Sequence, residues 1–170
     1  MQHLLFLDLD GVLVDLVGGL SKRIGKELSY DRRKEFNEEF KTFIADLNFA
    51  ARAEFWSNLP PTKDMELIWN KVKFYKPLIL SSISECEAAA YGKQMWCWNN
   101  LAIDSRQVFC VNKSADKQNF ACKNSMLIDD FDDNITQFRA KGGQAIHHTN
   151  IDTTLSEFDN WVSSTWKYKQ

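Results

Sequence analysis

The sequence predicts an α/β fold: a Rossmann-like three-layer sandwich with a central parallel sheet and a small helical cap inserted after the first strand. Three observations support this prediction. Short apolar runs of strand length recur along the 170-residue chain, and segments with helical periodicity separate them. Strands that alternate with helices are typical of βαβ units and parallel sheets. Between Asp15 and Asn58, directly after the first run, no convincing strand is found.

The elements follow from this alternation. Five apolar runs are predicted to be strands: residues 4–7, 77–80, 107–111, 125–128 and 144–146. Three helices are predicted around them: residues 85–100, 134–141 and 153–166. The pair Gly142-Gly143 ends the second helix before the fifth strand, because glycine favours helix C-termini. Four residues are candidate N-caps for the first two helices: Ser82 or Ser84, and Asp132 or Asp133.

The segment after the first strand is predicted to be a helical cap. Its apolar residues recur at helical spacing: Phe36, Phe40, Phe43, Ile44 and Leu47. Asp31 is the predicted N-cap of this helix. Pro60-Pro61 ends the insertion and returns the chain to the sheet, because proline cannot continue a helix. The predicted domains are therefore a core of residues 1–15 and 61–170 and a cap of residues 16–60.

Composition argues against several classes of protein. The formal net charge is -2, with 21 Lys+Arg against 23 Asp+Glu, so no overall basic charge is available to bind duplex nucleic acid. A hydrophobic content of 44% with 13% aromatics is typical of a globular protein. No apolar run approaches the roughly 20 residues that span a bilayer, and the first run is too short for a signal peptide. The four cysteines show no metal-ligand spacing, so reduced thiols and a cytoplasmic location are predicted.

The first predicted strand ends in two carboxylates, Asp8 and Asp10, and Gly11 follows at once. Residues two apart at a strand end project to the same side, so both carboxylates meet above the sheet edge, where open α/β sheets bind ligands. Two carboxylates this close need a cation, a shared proton, or both. A calcium loop of the EF-hand kind is excluded, because the next residues, 12–14, are Val-Leu-Val and offer no ligand side chains.

Three further features are predicted at or after strand ends. Ser81 and Ser82 follow the second strand and can donate hydrogen bonds to an anion. Lys93 lies on the next predicted helix, and Asp129-Asp130 ends the fourth strand at the same edge as the first acidic pair. Clustered carboxylates would repel one another strongly without a cation, and oxygen ligands without His or Cys suit Mg²⁺. The candidate Mg²⁺ ligands are Asp8, Asp10, Asp129 and Asp130.

The order Asp-x-Asp, Ser, Lys, Asp-Asp resembles that of the haloacid dehalogenase superfamily of phosphotransferases. Residues 5–12 resemble its first motif, residues 78–81 the second, Lys93 the third, and residues 127–130 with Asn134 the fourth. Within the superfamily, the cap position and three local phrases are similar to the 5'(3')-deoxyribonucleotidase-like group, which includes small phage-encoded members. These phrases are residues 8–15, residues 55–60, and Ser81-Ser82 followed by Gly92-Lys93. That group usually has Thr-Ser-Pro after the second strand, where this chain has Ser-Ser-Ile.

The resemblance implies Mg²⁺-dependent phosphomonoester hydrolysis through an aspartyl-phosphate, with a nucleoside monophosphate as the substrate. Asp8 is implied as the nucleophile. Asp10 is implied as the acid that protonates the leaving alkoxide and as the base that then activates water. Mg²⁺ is implied to bind the Asp8 side chain, the Asp10 backbone carbonyl and the second acidic pair, in which Asp130 is favoured over Asp129 as the direct ligand. The implied phosphate ligands are Ser81, Ser82, Lys93 and the backbone N–H groups of Leu9 and Asp10.

The cap and the remaining strand ends contain further candidates. Phe55 and Trp56 are candidates to stack on a nucleobase. Phe49 is expected to pack in the core of the cap, because a small helical insertion must use its aromatic residues to form any core. Lys113 and Lys117 follow the third strand and could reach a substrate phosphate, but a solvated position is favoured for both. The pair His147-His148 is expected to lie at the surface, because it lacks a third metal ligand.

Three alternative functions remain. The first is a phosphatase for a sugar phosphate or for the end of a nucleic acid. The second is a receiver module, whose lysine comes last, whereas Lys93 precedes the second acidic pair here. The third is a non-catalytic binding protein, which would be marked by loss of Asp8 or Asp10, and both are present. The expected partner is a small phosphorylated metabolite, and neither the oligomeric state nor the host follows from the sequence.

Overall fold

Five parallel strands form one sheet, in the order β3-β2-β1-β4-β5, in a computed structural model that describes residues 3–83 and 86–165. The strands are β1 Leu4–Leu7, β2 Leu78–Ser82, β3 Val108–Val111, β4 Ser125–Asp129 and β5 Gln144–His147. The helices are α1 Leu16–Ile24, α2 Arg33–Ala45, α3 Phe49–Ser57, α4 Met65–Val72, α5 Glu87–Leu101, α6 Asp132–Ala140 and α7 Ile151–Thr165. The predicted α/β class with a parallel sheet is confirmed. Two ends of predicted helices, Glu85 and Trp166, lie outside the described residues.

Side chains of β1 alternate between two cores, one on each face of the sheet. Leu5 and Leu7 belong to the larger core, which includes buried residues of α4, α5 and α7. Phe6 belongs to the smaller core, which includes Ile135 and Phe138 of α6. The chain therefore has three layers, helix, sheet and helix. Among the described residues, every helix is too short or too polar to span a lipid bilayer.

The prediction that Pro60-Pro61 returns the chain directly to the sheet is incomplete. Pro61 does pair with Val14 beside the end of β1, but α4 follows before β2 begins. This helix was not predicted from the sequence. Ile68 and Val72 are fully buried, and an ion pair between Lys71 and Asp159 at 2.6 Å joins α4 to α7. Burial of its apolar face against the core therefore stabilises α4.

The predicted N-caps are wrong wherever the structure describes them. Asp31 lies in a short 3₁₀ turn before α2, and the residue that precedes α2 is Arg32. Ser82 is the last residue of β2, whereas Cys86 precedes α5. Asp132 and Asp133 lie inside the first turn of α6, where a negative charge still favours the helix N-terminus. The other candidate, Ser84, lies outside the described residues.

Candidate active site

The loop after β1 carries the first acidic pair and turns sharply at a glycine. The backbone N–H groups of Leu13 and Val14 both donate to the carbonyl oxygen of Leu9, each at 2.8 Å. Gly11 has φ +82°, a left-handed conformation that favours glycine, and a Cβ atom there would overlap the carboxylate of Asp130. Glycine is therefore required both by the turn and by the close approach of the second acidic motif.

The carboxylate of Asp8 is buried, with 6% of the residue exposed. Its Oδ1 accepts a hydrogen bond from the backbone N–H of Leu9 at 2.8 Å, and its Oδ2 lies 2.8 Å from Nζ of Lys117. These contacts orient the carboxylate at the carboxyl end of β1, as the sequence predicted for a residue at this strand end.

Lys117, for which the sequence favoured a solvated position over contact with a substrate phosphate, lies within the site. It lies in the 3₁₀ segment Ser114–Phe120 after β3, is 1% exposed, and its Nζ is 2.8 Å from Asp8 and 2.7 Å from Asp129. Burial alone would lower the pKa of Lys117, but the two carboxylates outweigh it and the pKa is raised. The interpretation of Lys117 as a solvated lysine is therefore wrong. The polar sequence neighbours of Lys117 had indicated a surface segment. Lys113, which was also expected to be solvated, is exposed as predicted.

The two carboxylates of the second acidic pair have different surroundings. Asp129 is fully buried and accepts hydrogen bonds from Lys117, from Nδ2 of Asn134 at 3.0 Å and from the backbone N–H of Phe131 at 2.9 Å. Asp130 instead lines the cavity described below. Burial raises the pKa of Asp130 to about 8, and the negative charges of Asp8 and Asp129 add to this effect.

The carboxylates at this edge form a set of oxygen ligands that fits a divalent cation. Asp8, Asp129 and Asp130 each offer an oxygen atom, and these three atoms lie within 4.8 Å of one another. Among the described residues, these three carboxylates are close to one lysine ammonium, that of Lys117, which contacts Asp8 and Asp129, so one negative charge is left unbalanced when all three are ionised. A hard cation with oxygen ligands, such as Mg²⁺, matches both the donor atoms and the excess charge.

Asp10 has a different partner from Asp8. Its Oδ2 lies 2.5 Å from Nζ of Lys93, and the same Nζ donates to Oγ of Ser81 at 2.8 Å. Lys93 is 2% exposed, Ser81 is fully buried, and the Lys93 ammonium lies 4.6 Å from the ring centroid of Trp56. Burial raises the pKa of Asp10, and the positive charge of Lys93 opposes this rise. Of the three residues whose side chains were predicted to bind phosphate, only Ser82 lines the cavity, whereas Ser81 and Lys93 do not.

A cavity of about 820 Å³ lies over these carboxylates, with cap residues on one wall. The cap contributes an aromatic surface to it: Tyr30, Phe36, Phe40 and Trp56. Burial and the nearby charges of Asp10 and Asp130 raise the pKa of the Tyr30 hydroxyl, although the residue as a whole is 42% exposed. The cap therefore reaches over the acidic residues of the sheet edge.

Two aromatic residues of the cap lie elsewhere than predicted. Phe55, a candidate to stack on a base, does not line the cavity and instead packs edge to face against Phe43, with ring centroids 5.0 Å apart. Phe49, expected in the core of the cap, is 57% exposed at the start of α3. The interpretation of Phe49 as a core residue is wrong, because the apolar spacing does not show which side of a short helix is covered.

The second histidine of the pair after β5 is buried, contrary to the prediction of a surface pair. His148 is 9% exposed, lines the cavity, and its Nδ1 lies 2.9 Å from Oγ1 of Thr154. Burial lowers the pKa of His148. Asp64 lies 3.7 Å from Nε2 of the same ring and also lines the cavity. The cavity lining that comes from outside the cap therefore includes the polar side chains of His148 and Asp64.

Comparison with known proteins identifies the fold. A crystal structure of a hydrolase from Streptococcus pneumoniae TIGR4 is similar to this chain, with a TM-score of 0.51 and 12% sequence identity. The similarity covers 94% of this chain and 100% of that one. No protein-family model and no curated protein sequence matches the chain significantly. At this identity the likeness shows a shared α/β architecture.

Proposed function

We propose that the chain is a Mg²⁺-dependent phosphomonoester hydrolase of the haloacid dehalogenase type, acting through an aspartyl-phosphate. The observation that carries the proposal is the Asp8 carboxylate, which is held at the end of β1 by Lys117 and faces the cavity beside Asp130. The fold similarity to a bacterial hydrolase is consistent with this proposal. So is the order of the acidic and basic residues along the chain.

The acidic cluster would hold the metal ion. Asp8 and Asp130 would bind Mg²⁺ through their side chains and Asp10 through its backbone carbonyl. Asp129 lies behind them, where it fixes Lys117 and accepts hydrogen bonds from Asn134. When bound, Mg²⁺ supplies positive charge to the phosphate oxygens and to the carboxylates.

The covalent step is assigned to Asp8 and the proton transfers to Asp10. An oxygen of the Asp8 carboxylate attacks phosphorus, and the bond from phosphorus to the ester oxygen breaks as Asp10 donates a proton to that oxygen. A water molecule then attacks the phosphorus atom of the aspartyl-phosphate and gives a proton to Asp10. This hydrolysis releases inorganic phosphate and the free Asp8 carboxylate. Using one carboxylate as acid and then as base divides a difficult reaction into two easier steps.

Lys117 is the proposed phosphate-binding cation, a role that the sequence had assigned to Lys93. Lys117 lines the cavity and touches the nucleophile, whereas Lys93 does not line it. Ser82 and Ser114 also line the cavity, but the Ser114 hydroxyl donates to Oδ1 of Asn134 at 2.7 Å, so Ser82 is the proposed hydroxyl donor to a phosphate oxygen. Charge neutralisation and alignment are the main requirements of phosphoryl transfer, and this set provides both.

A nucleoside monophosphate is the proposed substrate. The cavity volume is within the usual range for small-molecule sites, and its cap wall is aromatic. Aromatic side chains bind nucleobases by stacking, at about 1–3 kcal/mol per base. A sugar phosphate has no base to stack on this aromatic surface. The end of a nucleic acid strand has a base and would stack on the same surface.

The reaction is tested with purified full-length protein, with and without Mg²⁺, on deoxynucleotides, ribonucleotides, sugar phosphates and p-nitrophenyl phosphate. Phosphate release should require Mg²⁺, and Asp8→Asn should abolish it while the melting temperature stays measurable and the unfolding cooperative. The matched control is Asp133→Asn, which changes an exposed carboxylate on α6 and should leave turnover intact. Turnover by Asp8→Asn, or full activity in EDTA, would contradict the mechanism.

The substrate class is tested with two exposed aromatic residues of the cap. Tyr30→Ala removes a ring that lines the cavity, and Phe49→Ala removes one that does not. Tyr30→Ala should lower kcat/KM for nucleotides by roughly fivefold or more, as expected for a lost stacking contact, and change p-nitrophenyl phosphate little. Phe49→Ala should change neither. A preference of the wild type for sugar phosphates would remove the nucleotidase assignment and leave the phosphatase assignment standing.

A further inference from the structure

We infer that Lys93 is a positioning residue that holds the Asp10 carboxylate for proton transfer and is itself held by Trp56 of the cap. This inference rests on the proposed function, in which Asp10 is the acid and the base. It gives Lys93 a role that differs from phosphate binding, and it connects the cap to the reacting groups of the core.

The Lys93 ammonium is surrounded by three partners. Its Nζ is 2.5 Å from Oδ2 of Asp10 and 2.8 Å from Oγ of Ser81, and it lies 4.6 Å from the Trp56 ring centroid. An ammonium group has three N–H donors, and a carboxylate, a hydroxyl and an aromatic ring are three partners. No donor is left for a phosphate oxygen, and Lys93 is closed off from the cavity.

The two oxygen atoms of the Asp10 carboxylate have different surroundings. Oδ2 is bound to Lys93, whereas Oδ1 is buried and has no hydrogen-bond partner among residues 3–83 and 86–165. A carboxyl group that donates a proton to a leaving group needs one free oxygen to carry that proton. Lys93 thus restricts Asp10 to an orientation in which Oδ1 is the free oxygen.

Helix α3 of the cap packs tightly against α5 of the core. Gly92 is adjacent to Lys93, and a Cβ atom there would lie 2.5 Å from the carbonyl oxygen of Ala53 and 2.5 Å from Cβ of Trp56. Nε1 of Trp96, on the next turn of α5, donates to the carbonyl oxygen of Leu59 at 2.8 Å. This close crossing places the Trp56 ring over the lysine.

A buried ion pair could instead serve the fold alone, and leaving-group dependence separates the two roles. Alkyl phosphates, such as nucleotides, expel a strongly basic alkoxide and need the acid. Aryl phosphates, such as p-nitrophenyl phosphate, expel a stable phenolate and need it little. Loss of the acid's position therefore affects alkyl substrates selectively, whereas damage to the fold or to phosphate binding affects both classes.

The experiment measures kcat/KM in Mg²⁺ for a simple alkyl phosphate that lacks a base and for p-nitrophenyl phosphate, together with inhibition by inorganic phosphate. Because neither substrate carries a nucleobase, lost stacking on the cap does not affect the comparison. Lys93→Met should lower kcat/KM for the alkyl phosphate on the order of 10²–10⁴-fold, the usual contribution of general acid catalysis, and that for p-nitrophenyl phosphate by less than about tenfold. The inhibition constant of phosphate should change by less than about threefold, because Lys93 does not touch phosphate.

Three further variants test the link to the cap and control for loosening of α5. Trp56→Leu removes the ring and should produce the same selectivity at a smaller scale, about twofold to thirtyfold on the alkyl phosphate that lacks a base, whereas Trp56→Phe should restore most of the loss. Cys97→Ala removes a buried side chain one turn along α5 and should leave the ratio of the two substrates unchanged.

Each outcome has one meaning. Equal losses on both substrates in Lys93→Met, or a tenfold weaker inhibition by phosphate, would overturn the positioning role. Equal losses in Trp56→Leu would overturn the connection to the cap. Because Trp56→Leu leaves Asp10 and Lys93 in place, it tests the inference even where Lys93→Met fails to fold. A wild-type protein that hydrolyses neither substrate would instead reject the proposed function itself.

Discussion

Replacing Lys117 by methionine should destabilise the protein strongly, because it removes the cation between two buried carboxylates. The side chains of Asp8 and Asp129 are 8% and 0% exposed, and both lie within 2.8 Å of Nζ. Methionine retains much of the apolar stem, so the change isolates the charge. Removing one partner of a buried ion pair costs about 3–5 kcal/mol. For a chain of this length, 1 kcal/mol corresponds to roughly 2–4 °C, so the melting temperature should fall by about 6–20 °C.

The assay is thermal unfolding at about pH 7.5 in EDTA, with Lys113→Met as the matched control. Lys113 is an exposed lysine at the start of the same 3₁₀ segment, so its replacement should shift the melting temperature by no more than about 1–2 °C. Adding Mg²⁺ should restore part of the stability of Lys117→Met, because a bound cation would neutralise the same carboxylates.

A double variant separates charge from packing. The variant with both Asp129→Asn and Lys117→Met also removes the negative charge that Lys117→Met leaves unpaired. The double variant should therefore lose less stability than the sum of the losses in the two single variants. A fall of less than about 2 °C in Lys117→Met, or strict additivity in the double variant, would refute the view that Lys117 neutralises this cluster.

The remaining predictions concern the glycine turn and the metal. Gly11→Ala should destabilise the fold and weaken Mg²⁺ binding, because its Cβ would overlap the Asp130 carboxylate at φ +82°; calorimetric titration with Mg²⁺ checks this, and unchanged affinity would contradict it. Without metal, the raised pKa of Asp130 contributes stability that is present below its ordinary value of 3.8 and is lost as the pH rises through about 8. Stabilisation by Mg²⁺ should therefore be larger at about pH 8.5 than at about pH 6, since binding requires the ionised carboxylate. In Asp130→Asn this pH dependence should largely disappear, and thermal shifts at both pH values measure it.

The order of strands and helices could be predicted from the sequence because each strand is a separate apolar run with polar boundaries. The position of the first acidic pair followed for the same reason, since a carboxylate directly after a buried strand must lie at the sheet edge. Helix α4 was missed although its apolar residues 65, 68, 69 and 72 recur at helical spacing, because Pro60-Pro61 was interpreted as the direct return of the chain to the sheet. N-caps were mislocated because the loops before α2, α5 and α6 take conformations that local composition does not specify.

The sequence by itself therefore determined the α/β class, the helices inserted after β1, and the position of Asp8, Asp10, Asp129 and Asp130 at one edge of the sheet. Only the tertiary structure decided which lysine serves which carboxylate. Lys117 occurs in a polar stretch and Lys93 among mostly small and apolar residues, so local composition does not distinguish their partners. A lysine is buried only when a particular carboxylate stands opposite it to offset the cost of desolvation. Which carboxylate a lysine meets depends on how α5 and the segment after β3 pack against β1 and β4. Lys93 and Asp10, for example, are 83 residues apart in sequence. Periodicity and motif spacing carry no information about such a pairing.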